Sequence, residues 1–74
     1  MPIEIEIFGQ LLPGEPRRRT MEIQGPTRIG EIVRALGLEA DAIGLITLNG
    51  VQSEMDDVAS PGSRLCIFPY VTGG

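Results

Sequence analysis

The chain has no histidine and no lysine among its 74 residues, and a single cysteine, Cys66. One cysteine excludes an internal disulfide, a four-cysteine zinc site and an iron-sulfur cluster built within one chain. Without histidine few metal sites remain conceivable, and none is assigned. The absence of lysine leaves no side-chain amine, so only the amino terminus can receive an acyl group. With neither residue and no convincing acid-base pair, the chain is not read as an autonomous enzyme. All six cations are arginines (Arg17, Arg18, Arg19, Arg28, Arg34 and Arg64), and ten acids bring the net charge to −4. An acidic domain repels phosphate backbones, so nucleic acid is excluded as a partner despite the Arg17 to Arg19 run. A basic groove on a partner protein fits better. No window approaches the length that crosses a membrane, and Met1-Pro2-Ile3-Glu4 opens without a basic or long apolar stretch. The expectation is a cytoplasmic protein with no signal peptide and no membrane partner.

Seventy-four residues suffice for one domain of about one helix on one sheet. Hydrophobic residues at 42% and charged residues at 22% are values of a folding domain. Ile3-Glu4-Ile5-Glu6-Ile7-Phe8 alternates with period two, which predicts a strand with one covered face. The segment from Gly9 to Arg19 holds Pro13, Gly14 and Pro16 and reads as a loop, and Thr20 to Gln24 alternates again with Met21 and Ile23 inward. Thr27 is expected to cap a helix whose stripe is Ile29, Ile32, Val33 and Leu36, with Gly37 as a left-handed cap. Leu45 to Leu48 forms a third strand, Asn49-Gly50 a type I′ turn, and Val51-Gln52 a short return strand. Glu54 to Ala59 reads as irregular and acidic, Pro61-Gly62 as a turn, and Arg64 to Phe68 as the last strand before Pro69. This order predicts an α+β fold, a mixed sheet of four to five strands with one main helix across it. The first and last strands lie side by side and parallel in the middle, because the helix supplies the crossover.

After that last strand the chain reads Pro69-Tyr70-Val71-Thr72-Gly73-Gly74. Glycine lacks a Cβ, so the final peptide units can thread a narrow channel and bring an α-carboxylate up to a phosphate or a sulfur atom. Together with Phe8-Gly9, the helix after Pro26-Thr27, Leu48-Asn49-Gly50 and Pro61-Gly62, this ending resembles the small sulfur-carrier proteins of the MoaD/ThiS type. These are ubiquitin-like β-grasp relatives of the molybdopterin synthase small subunit and of the thiamine-biosynthesis sulfur carrier. The resemblance covers essentially the whole chain, and the Phe-Pro-x-Val-x-Gly-Gly spacing is closer to the molybdopterin branch. Pro69-Tyr70 stands where that branch commonly has two prolines, and Gly62-Ser63 where it usually has Gly-Asp.

The resemblance implies a β-grasp domain over residues 1–68 and an extended diglycine tail over 69–74. It implies a non-catalytic carrier, with no cofactor of its own, whose Gly74 is joined to AMP by an ATP-dependent, ubiquitin-activating-type enzyme (MoeB/ThiF type). Sulfur from a donor such as a cysteine desulfurase or rhodanese then makes a Gly74 thiocarboxylate. An acceptor such as a molybdopterin synthase large subunit takes that sulfur into molybdenum-cofactor biosynthesis, with a thiamine-type or other sulfur pathway as the alternative destination. Gly73 keeps the tail thin, and Thr72, Val71, Tyr70, Pro69 and Phe68 form the tail and partner-binding residues. Tyr70 is either an interface anchor or an aromatic folded back on the sheet. A rival of the same origin is a protein modifier joined to a target lysine through Gly74, and a second is a β-grasp binding module with an inert tail. A β-grasp ferredoxin is excluded by the cysteine count.

Strand phase carries one further expectation. If Leu65 and Ile67 face the helix, then Cys66 and Phe68 face the open side, joined by Leu45, and form an apolar docking patch. The opposite phase buries Cys66 and Phe68. Cys66 is read as a structural cysteine, since no His, Lys or helix start adjoins it in sequence. Arg17 to Arg19 reads as a solvated loop or as an ion-pair contact to an acidic enzyme surface, and Glu54, Asp56 and Asp57 as a hydrated turn without a metal.

Overall fold

Period-two alternation in the first strand sets which side of the sheet is covered. Ile3, Ile5 and Ile7 are buried while Glu4 is exposed. The computed structural model describes residues 1–70. Its strands are β1 (Pro2–Ile7), β2 (Arg18–Glu22), β3 (Thr27–Arg28), β4 (Ile43–Leu48), β5 (Val51–Ser53), β6 (Val58–Ala59) and β7 (Arg64–Pro69). Helix α1 (Ile29–Leu36) and a 3₁₀ turn (Ala40–Ala42) complete the elements.

Five strands form one mixed sheet in the order β2-β1-β7-β4-β5. The two central strands, β1 and β7, are parallel, with Glu4 beside Arg64 and Glu6 beside Cys66, as the crossover argument requires. All other pairs in the sheet are antiparallel. The helix lays Ile29, Ile32, Val33 and Leu36 against Ile3, Ile5, Ile7, Ile46, Leu65 and Ile67 in one apolar cluster. Six of the core side chains, among them Ile3, Ile29 and Leu65, are essentially sealed from solvent. Each such residue contributes roughly 1.5–3 kcal/mol relative to an exposed position.

The helix start departs from the sequence expectation. Thr27 does not cap it; its hydroxyl donates to the Gly25 carbonyl at 2.9 Å, and Thr27 lies in β3. The free N–H groups are met from elsewhere: Ile29 donates to the Asp57 carbonyl and Gly30 to the Met55 carbonyl, both at 2.9 Å. The segment read as irregular therefore has two tasks, since it also supplies β6, which pairs with β3. A Cβ at Gly30 would lie 3.4 Å from the Met55 carbonyl oxygen, an ordinary van der Waals contact, so the approach of this loop does not itself require glycine. At the other end Gly37 has φ +80°, and Gly37 and Leu38 donate to the carbonyls of Arg34 and Val33. This is the Schellman arrangement, with the buried Leu38 following the glycine.

Turn chemistry follows the sequence. Asn49 (φ 53°) and Gly50 (φ 83°) form the β4–β5 hairpin, and Gly62 has φ 88° in a turn closed by Ser63 N–H to the Ser60 carbonyl. Asn49 also accepts the Arg64 N–H on its Oδ1 at 2.9 Å, tying this hairpin to the start of β7. Among the described residues, no helix is long and apolar enough to cross a membrane.

Candidate functional site

The central strand β7 carries the chain out of the sheet at Pro69, with β1 on one side and β4 on the other. β4 pairs Leu45 with Phe68 and Ile43 with Pro69, which leaves Gly44 as an extra residue in a bulge. A Cβ at Gly44 would lie 2.8 Å from both the Pro69 carbonyl oxygen and Tyr70 Cα, a separation that backbone atoms do not tolerate. On the other flank, Gly9 has φ +71°, and a Cβ there would meet Pro69 Cγ at 2.6 Å. Pro69 offers no N–H, but Tyr70 donates to the Ala42 carbonyl at 2.7 Å. The chain thus leaves between two glycines and is held once more, by its backbone, at Tyr70.

Of the seven residues expected to form the site, Phe68, Pro69 and Tyr70 are described. Val71, Thr72, Gly73 and Gly74 lie outside the described residues. The Tyr70 side chain is 63% exposed and is not folded back on the sheet.

Strand phase follows the first of the two alternatives. Leu65 and Ile67 are buried against the helix, while Phe68 and Cys66 are half-buried on the uncovered face and Leu45 is 37% exposed. Phe68 stacks on Phe8, with centroids 4.5 Å apart and planes within 5°. The Arg17 guanidinium carbon lies 5.3 Å from the Phe8 ring centre. Phe8, Phe68 and Leu45 therefore form an apolar surface beside the tail exit. The sequence reading assigned Phe8 no role there, although its phase relative to Ile5 and Ile7 puts it on this face. Gly9 entered only as the start of a loop and as part of the resemblance, and Gly44 was overlooked; a glycine inside or at the end of a strand is the signal for a close backbone approach.

A polar cluster adjoins the aromatic pair on the same face. The Glu6 side chain, 7% exposed, accepts from Arg64 Nη2 at 2.6 Å and lies 3.6 Å from Arg18 Nε. The Arg64 hydrogen bond holds the Glu6 carboxyl below its ordinary range; burial opposes this, and the charges of Arg18, Arg64 and Arg17 reinforce it. The same bond raises Arg64. The arginine run is therefore not a solvated loop throughout: Arg18 and Arg19 belong to β2, and Arg17 covers Phe8. Arg19 pairs with Glu15 at 3.4 Å. Pairing with β1 drew this stretch into the sheet, which the prolines at 13 and 16 had masked. Asp57 Oδ2 accepts the Glu54 N–H at 2.7 Å, a turn contact.

No family model matches the sequence, and no curated protein matches it. Solved structures do match in shape. Small archaeal modifier protein 1 (SAMP1) from Haloferax volcanii superposes with a TM-score of 0.77 at 23% identity, with 100% of each chain covered. The putative molybdopterin converting factor subunit 1 from Pyrococcus furiosus gives 0.72 at 16% identity, covering 95% of this chain and 98% of the other. The subunit 1 and 2 complex of molybdopterin-converting factor from Helicobacter pylori gives 0.65 at 18%, with 100% of each chain covered. The five-stranded mixed sheet crossed by one helix is the ubiquitin-like β-grasp fold that this chain shares with those structures.

Proposed function

We propose that the protein is a sulfur carrier whose reactive group is the Gly74 α-carboxylate. The observation that carries this reading is the placement of Tyr70. The chain leaves the centre of a β-grasp sheet there, four residues before Gly74, beside the half-buried Phe8–Phe68 pair and the exposed Leu45. From Tyr70 the remaining residues span at most roughly 14 Å when fully extended. That length lets a partner hold the folded face while its active site engages the thin end of the chain.

The chemistry follows from the carboxylate. A Gly74 oxygen attacks the α-phosphorus of ATP on a ubiquitin-activating-type enzyme, and pyrophosphate leaves. This converts a poor leaving group, oxide, into a good one, AMP. The terminal sulfur of a donor's persulfide attacks the Gly74 carbonyl carbon and AMP departs. A thiol then cleaves the resulting S–S bond, is itself oxidised to a disulfide, and leaves the Gly74 thiocarboxylate. Transfer of that sulfur to an acceptor's precursor and addition of water return the carboxylate. The carrier supplies a substrate end and a docking face and catalyses none of these steps.

Among acceptors, a molybdopterin synthase large subunit is the leading candidate. Its support is the likeness in shape to subunit 1 in a complex of subunits 1 and 2 of a molybdopterin-converting factor. Intact-mass analysis of the chain, incubated with ATP, an activating enzyme and a persulfide donor, tests the reading. The expected product carries one sulfur in place of one oxygen at Gly74. Likeness to a small archaeal modifier protein favours a second reading, conjugation through Gly74. Isopeptide adducts in place of the thiocarboxylate would decide for it.

A further inference from the structure

Gly44 is the extra residue of a bulge that faces the exit of the chain, and nothing in the hairpin demands a glycine there: its φ is not in the left-handed region. What demands it is distance. The two atoms nearest a Cβ at Gly44, the Pro69 carbonyl oxygen and Tyr70 Cα, are backbone atoms of the departing chain, both at 2.8 Å. Such contacts cannot be relieved by turning a side chain. The bulge interrupts the β4–β7 ladder just before its last pair, Ile43 with Pro69, and one residue further on Tyr70 N–H donates to the Ala42 carbonyl at 2.7 Å. On the opposite flank the Pro69 ring occupies the space that a Cβ on Gly9 would need.

We infer that Gly44 is a positioning residue: the close approach that only glycine permits fixes the direction in which the chain leaves the sheet, and hence where Gly74 is presented. This rests on the sulfur-carrier reading above. The carboxylate must meet the α-phosphorus in line, and Gly74 is only four residues along the chain from Tyr70, the last backbone anchor among the described residues. A displacement of about 1 Å at that anchor is passed to the reacting end, where a misplacement of this size can cost up to about 100-fold in rate. Docking of the folded face does not depend on it.

The test compares Gly44→Ala with Gly50→Ala. Gly50 lies at the other end of β4, has φ +83° and has open space where a Cβ would go, so its variant is strained without touching the exit. Chain-dependent ATP–pyrophosphate exchange is measured with the source organism's ubiquitin-activating-type enzymes, together with hydrogen exchange of the Tyr70 amide. Gly44→Ala is expected to lower kcat about tenfold or more with KM little changed, and to speed Tyr70 amide exchange. Gly50→Ala is expected to keep the native kcat. Should Gly44→Ala not fold, Pro69→Gly removes the ring packed on Gly9 without adding bulk and is expected to give the same loss in kcat. Native kcat in Gly44→Ala, or in Pro69→Gly where that variant stands in, overturns the inference alone, as does an equal loss in Gly50→Ala. A native chain that supports no exchange at all overturns the carrier reading and this inference with it.

Discussion

Phe8 and Phe68 stack face to face on the uncovered side of the sheet, 4.5 Å between ring centres, at the point where two parallel central strands end together. An aromatic pair of this kind adds about 0.5–1.5 kcal/mol beyond its area. A double-mutant cycle with Phe8→Ala and Phe68→Ala, read by urea unfolding, should return a coupling in that range. Pairing Phe8→Ala with Val51→Ala, at the exposed edge strand, should return none.

The same surface is the proposed docking face, so its apolar rim should govern association and not chemistry. Leu45→Glu places a charge beside Phe68, its cross-strand partner. It should weaken binding of the activating enzyme at least tenfold, or about 1.4 kcal/mol, with the melting temperature little altered. Titration by calorimetry checks the first part and thermal unfolding the second.

Glu6 gives the domain an acid-sensitive contact. Its carboxyl is held below its ordinary value of 4.5 by Arg64 first. A lowered folded-state pKa means that the stabilisation is fully present above the unfolded-state value. It is lost as pH falls through the folded one. Glu6→Gln should therefore be less stable than the native chain by a constant amount above about pH 5. The difference should shrink on further acidification. Urea midpoints across pH 2 to 7 measure it, and a difference that grew toward low pH would contradict the assignment.

Asn49 has two tasks, a positive φ of 53° and acceptance of the Arg64 N–H. Asn49→Ala should cost roughly 2 kcal/mol, about half from the left-handed backbone and half from the hydrogen bond. Asn49→Gly keeps the backbone and should cost only the second half. For a domain of this size 1 kcal/mol corresponds to about 4–8 °C in melting temperature, which scanning calorimetry resolves.

Removing Gly74 should abolish the thiocarboxylate and leave thermal stability unchanged, since the buried core and the ladders of the described residues are built from residues up to Pro69. Retained sulfur loading in the truncated chain, read by intact mass, would move the reactive group elsewhere.

The elements most legible in the sequence were those whose signal is local. Ile3, Ile5 and Ile7 at period two, the Ile29–Ile32–Val33–Leu36 stripe and the Asn49-Gly50 turn each depend on residues within one or two turns of chain. The misreadings all involved partners distant in sequence. Thr27 has the right side chain for a cap, yet β3 takes it into a ladder with Val58 and Ala59, and carbonyls from residues 55 and 57 serve the helix instead. Arg18 and Arg19 follow a proline-rich stretch and still join the sheet, because β1 offers a row of backbone groups to pair with.

The candidate site divides along the same line. By itself the sequence determined an α+β order of strands around one helix, a strand followed by Pro69 and a diglycine at 73–74, because covalent order and side-chain period are local properties. Tertiary structure alone decided that Phe8 meets Phe68, that Glu6 sits between Arg64 and Arg18, and that Gly9 and Gly44 close on Pro69 from either side. Those contacts join residues up to 60 positions apart. Their distances are set by how the parallel central strands and the β4 bulge bring separate backbones together.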